Sequence, residues 1–188
     1  TKAIIPVHLY GRAADIIKIK KIIPKKKKIF IIEDASQAHG LNYYSKKVFI
    51  GDFTIFSLYP AKNLGANGDA GIIITNKKND YIKLKMIRNW GSINKYEHKI
   101  IGYNMRMDTI QAAILLEKLK KLKYWNKQRK KIAKLYNLEL NKIKYLKINH
   151  NLINDHVYHL YVIITKFRNK LQTYLNKKKI DTIIHYPK

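Results

Sequence analysis

The stretch FTIFSLYPAKNLGANGDAG, residues 53–71, decides how the rest of this chain is to be read. It begins as a strand. Phe53, Ile55, Leu58 and Tyr59 are apolar or aromatic, and β-branched Thr54 and Ile55 suit a pleated backbone. Pro60 has no N–H for a ladder and ends the pairing. Glycines at 65, 68 and 71, with Asn63, Asn67 and Asp69 among them, then turn the chain sharply. Lys62 is held at that corner. A lysine at the tip of a turn is ordinarily a solvated surface charge. On a short rigid loop at a strand end, partly desolvated, it gives up its proton more readily, and the neutral amine attacks carbonyls. Ser57 offers a hydroxyl to a phosphate on the same loop. The turn alone leaves both readings open.

Upstream, Ile29 to Ile32 is a continuous apolar run ending in Glu33-Asp34, the pattern of a central parallel strand. Open α/β sheets take ligands beyond the carboxyl ends of their strands, and Asp34 stands there. An acid so placed binds a ribose, a metal or a ring nitrogen, or caps the next helix. Glu33, Asp34 and His39 lack the spacing of a metal site. Val48 to Tyr59 and Gly71 to Thr75 are expected as two buried strands flanking the Lys62 turn. Ala3 to Leu9 reads as a short strand and turn, Asp15 to Ile23 as an amphipathic helix, and Lys25 to Lys28 as a solvated loop.

Tyr81 to Trp90 is expected to be helical, and Gly91 to Asn104 irregular. Asp108 or Thr109 caps the longest helical pattern, with apolar residues recurring from Ile110 to Leu138 and a break expected near Lys123 to Asn126. Val157 to Ile164 and Ile180 to Tyr186 read as strands and Asn169 to Lys178 as a helix, the start of a small α+β domain.

The chain has 188 residues, no cysteine and a formal net charge of +27. Disulfides and thiolate metal sites are thereby excluded. No apolar run reaches the roughly 18–20 residues that cross a bilayer, and no signal-peptide pattern is present, so neither a membrane nor export is expected and a cytoplasmic location is. The charge at face value invites nucleic acid. Against this, the lysines are spread along the chain, and arginine, the better reader of phosphates and bases, is confined to Arg12, Arg88, Arg106, Arg129 and Arg168. Abundant Lys, Ile, Asn and Tyr together are what AT-rich codons produce, so no nucleic-acid partner is expected. Thr1 is not a Met, and Lys188 follows directly on an apolar stretch; both ends read as cuts in a longer protein.

Four motifs together resemble a known family: PVHLYG at 6–11, IEDASQAHG at 32–40, FSLYPAKNLGANGDAG at 56–71, and RNWGS…KYEH…GYNMRMDTIQAAIL from Arg88 to Leu115. In this order they resemble the DegT/DnrJ/EryC1/StrS sugar aminotransferases, pyridoxal-phosphate (PLP) enzymes of the aspartate-aminotransferase fold. The resemblance is close from Pro6 to about Tyr136. It implies an α/β fold: part of a three-layer α/β/α large domain with a mixed, mostly parallel sheet over residues 1–122. A connecting helix and an incomplete small α+β domain would follow over 123–188.

Residue by residue, the resemblance implies that Lys62 bonds to PLP and Asp34 pairs with the pyridine nitrogen. Gln37 would lie by the ring and its phenolic oxygen, Ser57 would bind the phosphate, and Asn104 would reach the phosphate of a partner subunit's cofactor in a homodimer. His8 and His185 match positions near the sugar site. The implied reaction aminates a nucleotide-linked keto-sugar, a dTDP-linked 3-keto-6-deoxyhexose by the Arg88–Ile114 segment, with glutamate or glutamine as donor. A catalytically silent PLP-binding relative or split-gene fragment is the alternative. Related dehydratases carry histidine where this chain has Lys62. Ala61, Ala70 and Met105 depart from the usual pattern.

Overall fold

The computed structural model describes residues 1–24, 26–43, 46–47, 50–148 and 156–187. Its centre is a four-stranded sheet of β1 (Ala3–Ile4), β2 (Phe30–Asp34), β3 (Phe53–Ser57) and β4 (Gly71–Ile74), side by side in that order. β1 and β2 run parallel, as do β2 and β3, with Asp34 opposite Ile55. β4 returns antiparallel along β3, pairing Ser57 with Gly71. The sheet is therefore mixed and mostly parallel, as expected. Of the strand expected from Val48, Phe53 to Ser57 is present, while Val48 and Phe49 lie outside the described residues, as does Lys25 of the lysine run.

Helix α1 (Ile16–Ile22) carries the chain from β1 back to β2. Asp15 caps it, its carboxylate accepting from the Lys18 N–H at 3.0 Å. Ile16 is buried beneath it. On β2, Ile31 and Glu33 face the interior on alternate positions.

β4 corrects one expectation. Ile72, Ile73 and Ile74 are not buried; Ile73 is 52% exposed. Among the described residues β3 is the one strand that pairs with β4. Helix α2 spans Lys78–Ile87 rather than Tyr81–Trp90. It stops where Trp90 and Gly91 both adopt positive φ. The stretch expected to be irregular holds an antiparallel pair, Ser92–Asn94 with Glu97–His98.

Helix α3 (Thr109–Leu140) runs 32 residues, about 48 Å at 1.5 Å per residue. It passes uninterrupted through residues 122 and 123 and shows no break at Lys123–Asn126. Neither Gly nor Pro occurs within it. Asn126, which in isolation competes with the helix backbone, has its side chain fully engaged elsewhere. Leu115, Leu122, Asn126, Ala133 and Asn137 form its buried stripe. Leu115 and Leu122 pack with Leu58, Leu64 and Ala66, so the Lys62 turn is seated on this helix. A second cluster joins Ala35, Ala38, Leu41 and Val157.

Past α3, Lys147–Ile148 pairs antiparallel with Ile163–Ile164, and α4 covers Arg168–Lys177. The strand expected from Val157 is shorter than drawn. Its first residues are pinned instead to the turn near β1: Val157 N–H donates to the Gly11 carbonyl at 2.8 Å, and Arg12 bridges His156. Gly11, at φ +91°, is required there, since a Cβ would meet a Val157 methyl at 2.8 Å and the Gln37 carbonyl at 2.9 Å. Ile180 to Tyr186 forms no strand; the Thr182 carbonyl accepts from the Gln172 side chain at 2.9 Å instead of from a sheet partner. No helix among the described residues is long and apolar enough to cross a membrane.

Candidate active site

Asp34 ends β2 and Ser57 ends β3, so both stand at the carboxyl edge of a parallel pair. The Asp34 backbone is clamped on both sides: its N–H donates to Pro6 O and its carbonyl accepts from His8 N–H, each at 2.9 Å. Its Oδ1 accepts from the Ser36 N–H at 2.9 Å. Among the described residues Oδ2 has no partner. Gln37 follows on the same turn. Its Oε1 accepts from the Tyr10 N–H at 2.5 Å, which leaves the amide NH₂ as the free end. Tyr10 in turn donates its hydroxyl to the His185 carbonyl at 3.1 Å. One chain of contacts thus joins Gln37, Tyr10 and His185.

The Lys62 turn is rigid for reasons of its own. Lys62 N–H donates to Tyr59 O at 2.9 Å, and Ala66 N–H to Leu58 O at 2.7 Å. Gly65 lies so close over the Pro60 carbonyl that a Cβ there would collide with it. The Ser57 hydroxyl holds only a long contact, 3.4 Å from Tyr59 N. Lys62 is half-buried, and its ammonium has neither a hydrogen bond nor an ion pair among the described residues.

Two imidazoles feel that charge. His39 is 3% exposed, lies against Phe56 with ring centroids 5.2 Å apart, and neither ring nitrogen has a hydrogen-bond partner among the described residues. Burial first, and the Lys62 charge after it, hold its pKa down at about 4; the Ser57 backbone is near enough to oppose the shift but not in hydrogen-bonding geometry. His159 is also held at about 4, by burial first and then by Lys62, Arg129, His39 and His185. No carboxylate among the described residues acts on either ring. Arg129 donates Nη1–H to the Tyr158 carbonyl at 3.1 Å, and burial lowers its pKa. Lys62, Arg129 and two neutral imidazoles therefore make an electropositive seat with no counter-ion among the described residues: a place for an anion.

Two of the sequence-derived candidates lie elsewhere. His8 is fully buried, its Nε2 3.0 Å from Glu33 Oε2 and its Nδ1 accepting from the Ala14 N–H at 3.0 Å. With both nitrogens engaged it can offer none to a sugar; its part is to hold the β1–α1 connection to β2. Glu33 also accepts from the Gly51 N–H. Burial alone would raise its pKa, but the His8 and Gly51 hydrogen bonds outweigh that and the net shift is downward. Asn104 is exposed and bridges Asn89, away from the strand ends that carry Asp34 and Ser57, as a residue serving a partner subunit's cofactor would be. The residues that sequence reasoning passed over are Asn63, Asn126, Arg129 and His159. Asn63 adjoins Lys62, but nothing local in the sequence points to its partners. No group of three or more His, Asp or Glu among the described residues is placed to hold a metal.

Along all 188 residues the chain matches the model of the DegT/DnrJ/EryC1/StrS aminotransferase family. It belongs to that family. A relative from Aneurinibacillus thermoaerophilus, a dTDP-3-amino-3,6-dideoxy-alpha-D-galactopyranose transaminase, is 46% identical over 191 residues, covering 100% of this chain and 52% of its own. Among solved structures, Streptomyces venezuelae DesV in complex with a ketimine intermediate superposes with a TM-score of 0.95 at 37% identity, over 100% of this chain and 51% of DesV. NtdA from Bacillus subtilis, with bound cofactor PMP, superposes at 0.90 and 36% identity, over 100% of this chain and 44% of its own. The chain spans about half the length of the curated relatives it matches.

The family is PLP-dependent. The residues present fit that group. PLP is a dianionic phosphate, a phenolic oxygen, an aldehyde and a ring nitrogen. The seat supplies a cationic amine, an unfilled Ser57 hydroxyl, a Gln37 amide donor, and a carboxylate oxygen without a partner at the neighbouring strand end.

Proposed function

We propose that the full-length protein is a PLP-dependent aminotransferase that converts a nucleotide-linked keto-sugar to an amino-sugar, with glutamate or glutamine as amino donor. The observation that carries this reading is the Lys62 ammonium: half-buried, on a rigid turn one strand from the Asp34 carboxylate, and, like Asp34 Oδ2, without a partner among the described residues. When bound, PLP supplies an electron sink that stabilises negative charge on the carbon losing its proton. Lys62 Nζ then carries that proton off as general base and returns it as general acid. Asp34 Oδ2 accepts the hydrogen of a protonated ring nitrogen and keeps it protonated. Gln37 donates its amide N–H to the ring's oxygen, and Ser57 Oγ donates to the phosphate. Lys62 and Arg129 supply the positive field that holds an anion in place.

A 3-keto-6-deoxyhexose on dTDP is the proposed sugar, supported by the similarity to the Aneurinibacillus transaminase. We place the working unit as a cytoplasmic homodimer, with Asn104 serving the partner's phosphate. The large domain is drawn to residue 122, with α3 connecting it to the smaller one. Loading the full-length protein with PLP and adding glutamate or glutamine should convert the cofactor spectrum to that of the amine form, and a keto-sugar should restore it. A cofactor that binds but never converts with any donor would overturn this reading in favour of a catalytically silent relative.

A further inference from the structure

A chain of buried amides ends on His159. Asn126 on α3 donates Nδ2–H to the His39 carbonyl at 2.8 Å. Asn63, next to Lys62, donates Nδ2–H to Asn126 Oδ1 at 2.9 Å and to the Val157 carbonyl at 3.1 Å. Backbone carbonyls only accept, so both amides must turn their NH₂ groups toward them. Asn63 Oδ1 is thereby left facing His159 Nδ1, 3.3 Å away. That oxygen also only accepts, so the proton must sit on Nδ1. A neutral imidazole carries one ring proton, and Nε2 is therefore bare. Both asparagines are buried, so water cannot loosen the orientation.

We propose that His159 is a further residue of the Lys62 site, fixed by the Asn126–Asn63 relay with Nε2 as hydrogen-bond acceptor for a hydroxyl of the carbohydrate substrate. This rests on the substrate class proposed above. Nε2 has no partner among the described residues, and His159 lines a cavity of about 140 Å³ with Arg129, Tyr136, Tyr158 and Tyr161. The choice of a hydroxyl follows from charge. Lys62 and Arg129 repel an incoming ammonium, and both are themselves donors, so a neutral donor is what a bare imidazole nitrogen can receive here. The neutral state is supported by the same two cations and by burial.

The test uses the full-length PLP-loaded protein with ¹⁵N-labelled histidine, the His159 signals being assigned by their loss in His159→Gln. Nδ1 should carry the proton and Nε2 should not, and adding dTDP-glucose as probe should shift Nε2 with the Nδ1 proton retained. His159→Phe should raise the KM for keto-sugar by about 3- to 10-fold, the worth of one hydrogen bond, with the KM for the amino donor unchanged. His159→Gln, whose amide oxygen can stand in, should recover part. A proton on Nε2 in the wild type, or a keto-sugar KM unmoved in His159→Phe, would overturn the proposal. An intact Nδ1 proton with no turnover of any keto-sugar would overturn the proposed reaction and the hydroxyl role together, while leaving the relay in place.

Discussion

Two basic groups lie near the same strand, and they are opposites. His8 on the Glu33 side of β2 is sealed: both its ring nitrogens, and both oxygens of Glu33, are engaged. The Lys62 group at the end of the sheet is open among the described residues: an ammonium without a partner, a carboxylate with one free oxygen, and a buried imidazole with two free nitrogens. In sequence both look like basic residues near acids. Satisfied polar groups in the interior hold a fold together, whereas unsatisfied ones are tolerated where a ligand completes them.

The two should therefore fail differently. Lys62→Ala should lower transamination by about 10³-fold or more, since it removes the general base. It should change unfolding free energy by no more than about 1 kcal/mol, because the ammonium has no hydrogen bond or ion pair to lose among the described residues; activity assays and urea melts on the full-length protein check both. Glu33→Ala should do the reverse. It strands His8 and the Gly51 N–H in the interior, at a cost of about 3–5 kcal/mol, read as a lower urea midpoint. In the wild type the Glu33 contribution is present above its ordinary pKa of 4.5 and is lost as pH falls through its lower folded value.

How far the sequence carried this contrast depends on distance along the chain. β2, β3 and the Lys62 turn were legible because their signals are local: an apolar run, β-branched residues, then Pro and Gly. Asp34 and Ser57 could be placed at strand ends for the same reason. The continuity of α3 was not legible, because the partner that satisfies Asn126 is 63 positions away. His8 misled for a similar reason: its partner Glu33 lies 25 residues on, across the α1 crossover. The three isoleucines of β4 predict a buried strand by composition, but burial is decided by what packs on them, and among the described residues only β3 pairs with β4.

A smaller effect sharpens the comparison through pH. The folded pKa of His39, about 4, lies below its ordinary 6.5. Between those values the unfolded chain binds a proton that folded His39 refuses, so stability falls as pH drops through that window. The loss should be on the order of 1–3 kcal/mol, and a His39→Phe variant should melt with less pH dependence over pH 6.5 to 4. Smallest is the α1 cap: Asp15→Ala should cost about 1 kcal/mol in a urea melt, since its carboxylate caps the start of α1 and pairs with the exposed Lys18.

The central claim is that, among the chain's many lysines, Lys62 is the one that bonds to PLP. Borohydride reduction of the PLP-loaded full-length protein, followed by peptide mass mapping, tests it directly. A single phosphopyridoxyl label on the peptide carrying Lys62, absent in Lys62→Ala, is the expected result. Label spread over surface lysines, and unchanged by that substitution, would contradict it.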